Sequence, residues 1–302
     1  MSFFAYPLEE DLINNLVKKN KVFHLIDLPL SKYSTKEFQS TNLAPESIKK
    51  SSYEIFGSNF GEIREKYIKE HNQDFFNDYT VSIKNKKEII NKLKNFLKKI
   101  EEKNKENIFI FLGGNHLITY FIIHSIKPDI ILHFDSHPDV DPLEKELNHS
   151  NFIKFLLEEI PSLKIIQIGL SNATKEELNY LKQKNIKFFK SIDFFTNRGK
   201  ILKEIIKEIK ETKNKKNKKI SIYLTIDTDV FEGNFASYQG ESLGISIRDF
   251  LFFIYELNNK IKEMNNIQIK GFDLVELNPH LDINNYWTTS ITRVLIELIS
   301  IF

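Results

Sequence analysis

The sequence predicts an α/β protein with a mostly parallel, doubly wound sheet and helices on both faces. Three observations predict it. Short apolar runs recur, among them Ile108–Leu112, Ile130–Phe134, Ile220–Leu224 and Ile269–Val275, and runs of this length suit strands buried on both sides. Helical patterns separate them, the alternation that builds a parallel sheet. Each of the four runs also stops at a cluster of acids, imidazoles or amides, as expected where ligands gather outside the carboxyl ends of parallel strands.

Taken in order, Val22–Ile26 reads as a first strand. Residues 43–78 are polar and irregular, with Ala44-Pro45-Glu46-Ser47-Ile48 opening a helix. Between Lys86 and Lys103 the apolar positions Ile89, Ile90, Leu93, Phe96, Leu97 and Ile100 form a helical stripe that leads into the run at 108–112. Further strands fall at Lys164–Ile168 and Ile186–Phe189, and Thr174-Lys175-Glu176-Glu177 starts a helix with a capping box. Ile201–Ile209 is helical, and Lys213–Lys219 is a basic connector, solvated rather than bound to a polyanion. Helices over Ser246–Met264 and Trp287–Ile301 complete the chain. No composition break or fixed-period repeat divides it, so residues 1–302 are expected to fold as one domain.

Composition excludes several classes. The 302 residues are 41% hydrophobic and include 26 Phe, enough for a sizeable core. The 43 basic and 41 acidic residues leave a net charge of +2, so no global field selects nucleic acid or an anionic membrane. There is no cysteine, which removes disulfides, thiolate metal sites and cysteine nucleophiles. No apolar stretch approaches the roughly 20 residues of a spanning helix. The first ten residues lack the basic segment of a signal peptide, so a cytoplasmic location is expected.

The strand ends carry the chemistry. They hold His116 after Gly113-Gly114-Asn115, then Asp135, His137 and Asp139, then Asp227 and Asp229, then Glu276. In extended backbone alternate residues point the same way, so Asp135, His137 and Asp139 should share a side, as should Asp227 and Asp229. Taken singly, each cluster has a plain reading as a loop, a capped turn or a solvated strand end. Together, two imidazoles and four carboxylates exceed the needs of one tetrahedral zinc. Mixed oxygen and imidazole donors favour two Mn²⁺, with Fe, Co, Ni or Zn possible. Two divalent ions also balance four aspartates, and could bring a bound water's pKa towards roughly 7.

At these residues the chain resembles the ureohydrolases, the arginase and agmatinase family. The family's Gly-Gly-x-His, Asp-Ala-His-x-Asp and Ser-x-Asp-x-Asp signatures have counterparts, in the same order, at Gly113–His116, Asp135–Asp139 and Thr225–Asp229. A late Glu-x-Asn-Pro stands at Glu276–Pro279. The likeness covers residues 106–302 well and the divergent part, 1–105, weakly. It implies the arginase-like three-layer α/β/α fold. It also implies that His116 and Asp139 hold one manganese, that His137 and Asp229 hold the other, and that Asp135 and Asp227 bridge. His149 falls where agmatinases place a proton-shuttling histidine, and Glu276 where the family holds the guanidinium. Asp139 would help pass a proton to the departing amine. The implied reaction releases urea and an amine from a guanidino compound, and the implied assembly is a homo-oligomer, trimeric or hexameric.

Substrate choice rests on the loops. Arginases hold the α-carboxylate partly with an asparagine at a position that is Asp141 here, and Glu144 and Glu146 add negative charge. A small cation without an acidic end is therefore expected, agmatine (giving putrescine) before arginine, formiminoglutamate or another amidine. Asn115, Ser136, Ser150, Ser171 and Glu232-Gly233 depart from the family's commoner residues but remove no candidate ligand. A two-metal phosphoesterase would place Asp-x-His first and add a late Gly-His-x-His, and neither holds here. The remaining rival is a non-catalytic family member. Four uncompensated clustered acids argue against it, because they repel one another.

Overall fold

Eight strands pair into one sheet. The computed structural model describes residues 21–30, 40–55, 58–59, 66–71, 75, 85–103, 106–212, 219–237 and 241–302. The strands are β1 Lys21–Leu28, β2 Tyr67–His71, β3 Glu106–Gly113, β4 Ile130–Phe134, β5 Lys164–Leu170, β6 Lys187–Lys190, β7 Ile220–Asp227 and β8 Ile267–Val275. Their order across the sheet is β2-β1-β3-β8-β7-β4-β5-β6, and every described pairing is parallel. β3, β8, β7 and β4 are thus the four central strands, and they are the four whose ends carry the acids and imidazoles. β4 and β7 are buried at every residue, so their polar members His133, Ser221, Thr225 and Asp227 lie inside with the apolar ones.

Helices cover both faces. α1 Ala44–Ser51, α6 Ser191–Glu211, α7 Ile247–Lys262 and α8 Tyr286–Ile301 pack on one face through Ile48, Ile205, Phe253 and Leu295. α2 Lys86–Glu101, α3 Ile118–Ile126, α4 Phe152–Glu159 and α5 Lys175–Gln183 pack on the other through Leu93, Ile122, Phe152 and Leu181. Ile291, Val294, Leu295 and Leu298 of α8 are fully buried, and each contributes about 1.5–3 kcal/mol relative to exposure. The capping box at Thr174 forms as its sequence indicates, with Glu177 N–H donating to Thr174 Oγ1 at 3.2 Å.

Two elements differ from the sequence reading. β2 lies inside the stretch read as irregular; Tyr-Ile-Lys-Glu-His is an edge strand, half-buried at four of its five residues, so it lacks an apolar signature. α6 begins ten residues earlier than Ile201, because Phe194 and Ile201 both reach the core across a break at Asn197 (φ −144°, ψ 38°). Residues 213–218 of the basic connector lie outside the described residues.

Candidate metal centre

Each strand end turns in its own way, and each turn aims a side chain at one point. After β3, Gly114 N–H donates to Leu28 O (3.2 Å) and Asn115 N–H to Leu30 O (2.6 Å). A Cβ on Gly114 would stand 2.2 Å from Leu30 O, so only glycine lets the two loops approach this closely. His116 follows, buried at 1% exposure at the start of α3.

After β4, the backbone does not stay extended as the alternation argument assumed. Asp135 Oδ1 accepts from His137 N–H (2.6 Å), Gln167 Nε2 holds Pro138 O (2.7 Å), and Asp139 takes a left-handed φ of +52°. After β7 the chain likewise turns, with Asp229 N–H donating to Asp227 Oδ1 at 2.8 Å within a short 3₁₀ helix. The expected residues do converge, but short side chains accepting backbone N–H groups bring them together rather than strand periodicity. After β8, Glu276 adopts φ +62°, an uncommon conformation for a non-glycine residue and one that clusters at functional sites. Its N–H donates to Gly114 O (2.8 Å), and its Oε1 accepts from His116 N–H (2.6 Å).

The result is a compact set of donors. His116 Nδ1 lies 3.1 Å from Asp135 Oδ2, 3.1 Å from Asp139 Oδ2 and 3.2 Å from Asp227 Oδ2. His137 Nδ1 lies 2.9 Å from Asp229 Oδ2 and 3.5 Å from Asp135 Oδ1. Donor atoms of His116, His133, Asp135 and Asp139 fall within 4.8 Å of one another, as do those of Asp135, His137 and Asp229. Asp135 belongs to both groups. That is the arrangement of two adjacent cation sites with a shared carboxylate. The oxygen and imidazole donors, with no sulfur, suit manganese-type ions.

These buried charged groups perturb one another. Burial pushes the Asp227 carboxyl well above the usual carboxylate range, and Asp229 and Asp135 push it further. Asp229 is raised by burial and by Asp135, against the pull of His137. Burial lowers the His116 imidazole, but Asp135, Asp139 and Asp227 outweigh it and hold it well above its ordinary value. The same balance, with Asp229 and Asp135 as the carboxylates, raises His137. Asp227, Asp229 and both imidazoles are thus shifted towards their protonated forms, and a bound metal ion would have to displace those protons.

A cavity of about 180 Å³ opens over the centre, and its wall adds His149, Ser150, Glu177, Ser237 and Glu276. Among the described residues no lysine or arginine lines it. Asp141, Glu144 and Glu146 are not in its wall; Asp141 instead accepts from Leu143 N–H at 2.9 Å. The nearby carboxylate is Glu177, which sequence reading took only as a helix cap. His133, in β4, lies against the carboxylates of the centre. It is fully buried, ring-stacked on His116 at 5.2 Å, with Nε2 3.1 Å from Asp135 Oδ2. Its place two residues before Asp135 in β4 was the available signal. A larger cavity of about 340 Å³ lies at the opposite ends of the strands, beside Lys21, Glu106 and Lys262, and is remote from this chemistry.

Comparison with known proteins agrees with this geometry. The model of the arginase family matches residues 22–300. An uncharacterized 32.2 kDa protein of Methanothermus fervidus is 29% identical over 283 residues, covering 91% of this chain and 90% of the relative. Agmatinase of Bacillus subtilis is 26% identical over 198 residues, 62% of this chain and 61% of the agmatinase. Among solved structures, Bacillus subtilis formimidoylglutamase superposes with a TM-score of 0.75 at 21% identity, over 92% of this chain and 86% of that one. Agmatine ureohydrolase of Thermoplasma volcanium gives 0.69 at 19% identity, over 98% and 95%.

Proposed function

The chain belongs to the arginase family, and from that premise we propose that it is a binuclear-manganese hydrolase that cleaves a guanidino C–N bond to release urea and an amine, with agmatine as substrate and putrescine as product. One observation carries the reading: Asp135 is shared between a group built on His116 and a group built on His137 and Asp229. In this reading His116 and Asp139 serve one ion, His137 and Asp229 the other, and Asp135 and Asp227 both. Bound metal would polarise substrate and activate a water.

The chain's own groups do the rest. The Glu276 carboxylate, anchored through one oxygen to His116 N–H, takes the guanidinium. Water adds to the guanidinium carbon and the C–N bond to the amine breaks. Asp139 accepts the water's proton and delivers it to the departing nitrogen, and His149 exchanges protons at the mouth. A wall with Glu177 and Glu276 and, among the described residues, no lysine or arginine favours a substrate with cations at both ends over one ending in a carboxylate. The agmatinase of Bacillus subtilis is one of the relatives, which supports the same choice.

The proposal extends to one domain over residues 1–302, a trimeric or hexameric homo-oligomer and a cytoplasmic setting. No helix among the described residues is long and apolar enough to cross a membrane. The test is urea release from agmatine, arginine, guanidinobutyrate and guanidine with Mn²⁺ supplied, alongside metal analysis. Urea from agmatine with about two Mn per chain supports the proposal. Bound Mn without urea from any of the four points to an amidine substrate, and no bound metal points to a non-catalytic protein.

A further inference from the structure

Asp273 stands in the interior of β8 with no exposure, and no cation contacts it among the described residues. Its carboxylate instead accepts from Thr119 Oγ1 (2.9 Å), Tyr223 OH (3.0 Å), Thr225 Oγ1 (2.6 Å) and Ile226 N–H (3.3 Å). Burying a carboxylate without a partner charge is costly even when it is hydrogen-bonded. The next contact outward shows what this one is near: Thr225 Oγ1 lies 2.9 Å from His116 Nε2.

Proton order follows from counting. Thr225 has one hydroxyl proton and gives it to Asp273, so its oxygen is left as an acceptor. Thr119 lies 3.1 Å from Thr225 and gives its own proton to the other carboxylate oxygen. His116 must therefore carry hydrogen on Nε2, which leaves Nδ1 as the metal-facing nitrogen, where Asp135, Asp139 and Asp227 converge. On the other half of the centre the amide of Asn172 stands 3.0 Å from His137 Nε2.

We propose that Asp273, acting through Thr225, is a positioning group that fixes the His116 tautomer and sets the affinity of the His116 half of the centre for a divalent cation. It leaves the His137 half unaffected. The inference rests on the two-ion reading above. A hydroxyl–carboxylate relay of this kind orients a ligand imidazole and increases its basicity.

The test is Mn²⁺ binding to the metal-stripped full-length chain, with free Mn²⁺ read by electron paramagnetic resonance. It compares wild type, Thr225→Val, Thr225→Ser and Asp273→Asn. Thr225→Val and Asp273→Asn should each weaken one ion by about 10–100-fold and leave the other within about twofold, and Thr225→Ser should bind like wild type. Equal weakening of both ions, no weakening, or a serine variant that behaves like valine overturns the inference. If Asp273→Asn does not fold, the two Thr225 variants decide. If Thr225→Val does not fold either, the network is a folding element and the inference is overturned. A wild-type chain that binds no Mn²⁺ would instead bring down the proposed function, and this inference with it.

Discussion

Loading the metal-free protein with Mn²⁺ at pH 7.5 should expel at least about two protons per pair of ions. The count comes from the imidazoles. Burial opposes the charged form of His116 and His137, yet Asp135, Asp139 and Asp227 around the first, and Asp229 and Asp135 around the second, hold both well above the ordinary histidine value. Each therefore carries a proton towards the carboxylates until a metal takes its place, and a ligand nitrogen must release it. Asp227 and Asp229, raised by burial and by neighbouring carboxylates, add to the release if they too are protonated. Each proton displaced makes binding less favourable by about 1.4 kcal/mol for every unit fall in pH. Two protons therefore weaken the pair of ions about 100-fold per unit. Calorimetric titration in buffers of different ionisation enthalpy measures the number directly. Fewer than one proton at pH 7.5 would show that the carboxylates do not hold the imidazoles charged, and the electrostatic account of the centre would be wrong.

Other perturbations have equally definite outcomes. Glu276→Gln keeps the shape and the acceptor for His116 N–H but loses the charge, so kcat/KM for agmatine should fall about 100-fold or more while both Mn ions stay bound; normal turnover removes the guanidinium role. Gly114→Ala drives a methyl against Leu30 O at 2.2 Å, which should cost about 1–3 kcal/mol and lower Tm by roughly 3–10 °C; an unchanged Tm would mean the two loops part without penalty. Burial holds the imidazoles of His24 and His71 near pKa 4, below the unfolded 6.5, so the fold keeps them neutral and stability is full above pH 6.5 and falls as pH drops towards 4. Buried His24 should account for about 2 kcal/mol between roughly pH 6.5 and 4.5, and half-exposed His71 for less. Urea unfolding across that range should therefore be less pH-sensitive in a His24→Gln chain, and an equal slope would contradict the assignment.

The candidate centre was largely legible in the sequence because its residues follow apolar runs that could only be buried strands. His116, Asp135, His137, Asp139, Asp227, Asp229, His149 and Glu276 all face one cavity or its floor. What escaped reading depended on direction rather than identity. Asp141 looked like part of the pocket, but its carboxylate turns back to the backbone of Leu143. Glu177 looked like a cap and is also a wall of the cavity. Asp273 was passed over inside an apolar run, although a charged residue in the buried half of a strand is itself a signal that a partner is waiting. β2 escaped because an edge strand needs no apolar alternation when one side meets solvent.

The sheet order has a further consequence for how the molecule comes into being. β8, the last strand synthesised, inserts between β3 and β7 and is the seam joining β2-β1-β3 to β7-β4-β5-β6. His116 arrives on one side of that seam and the aspartates on the other. A growing polypeptide that has not yet emitted β8 holds two sheet halves without the strand that pairs them, with His116 on one and His137 and the four aspartates on the other, so the full constellation assembles only once β8 is in place.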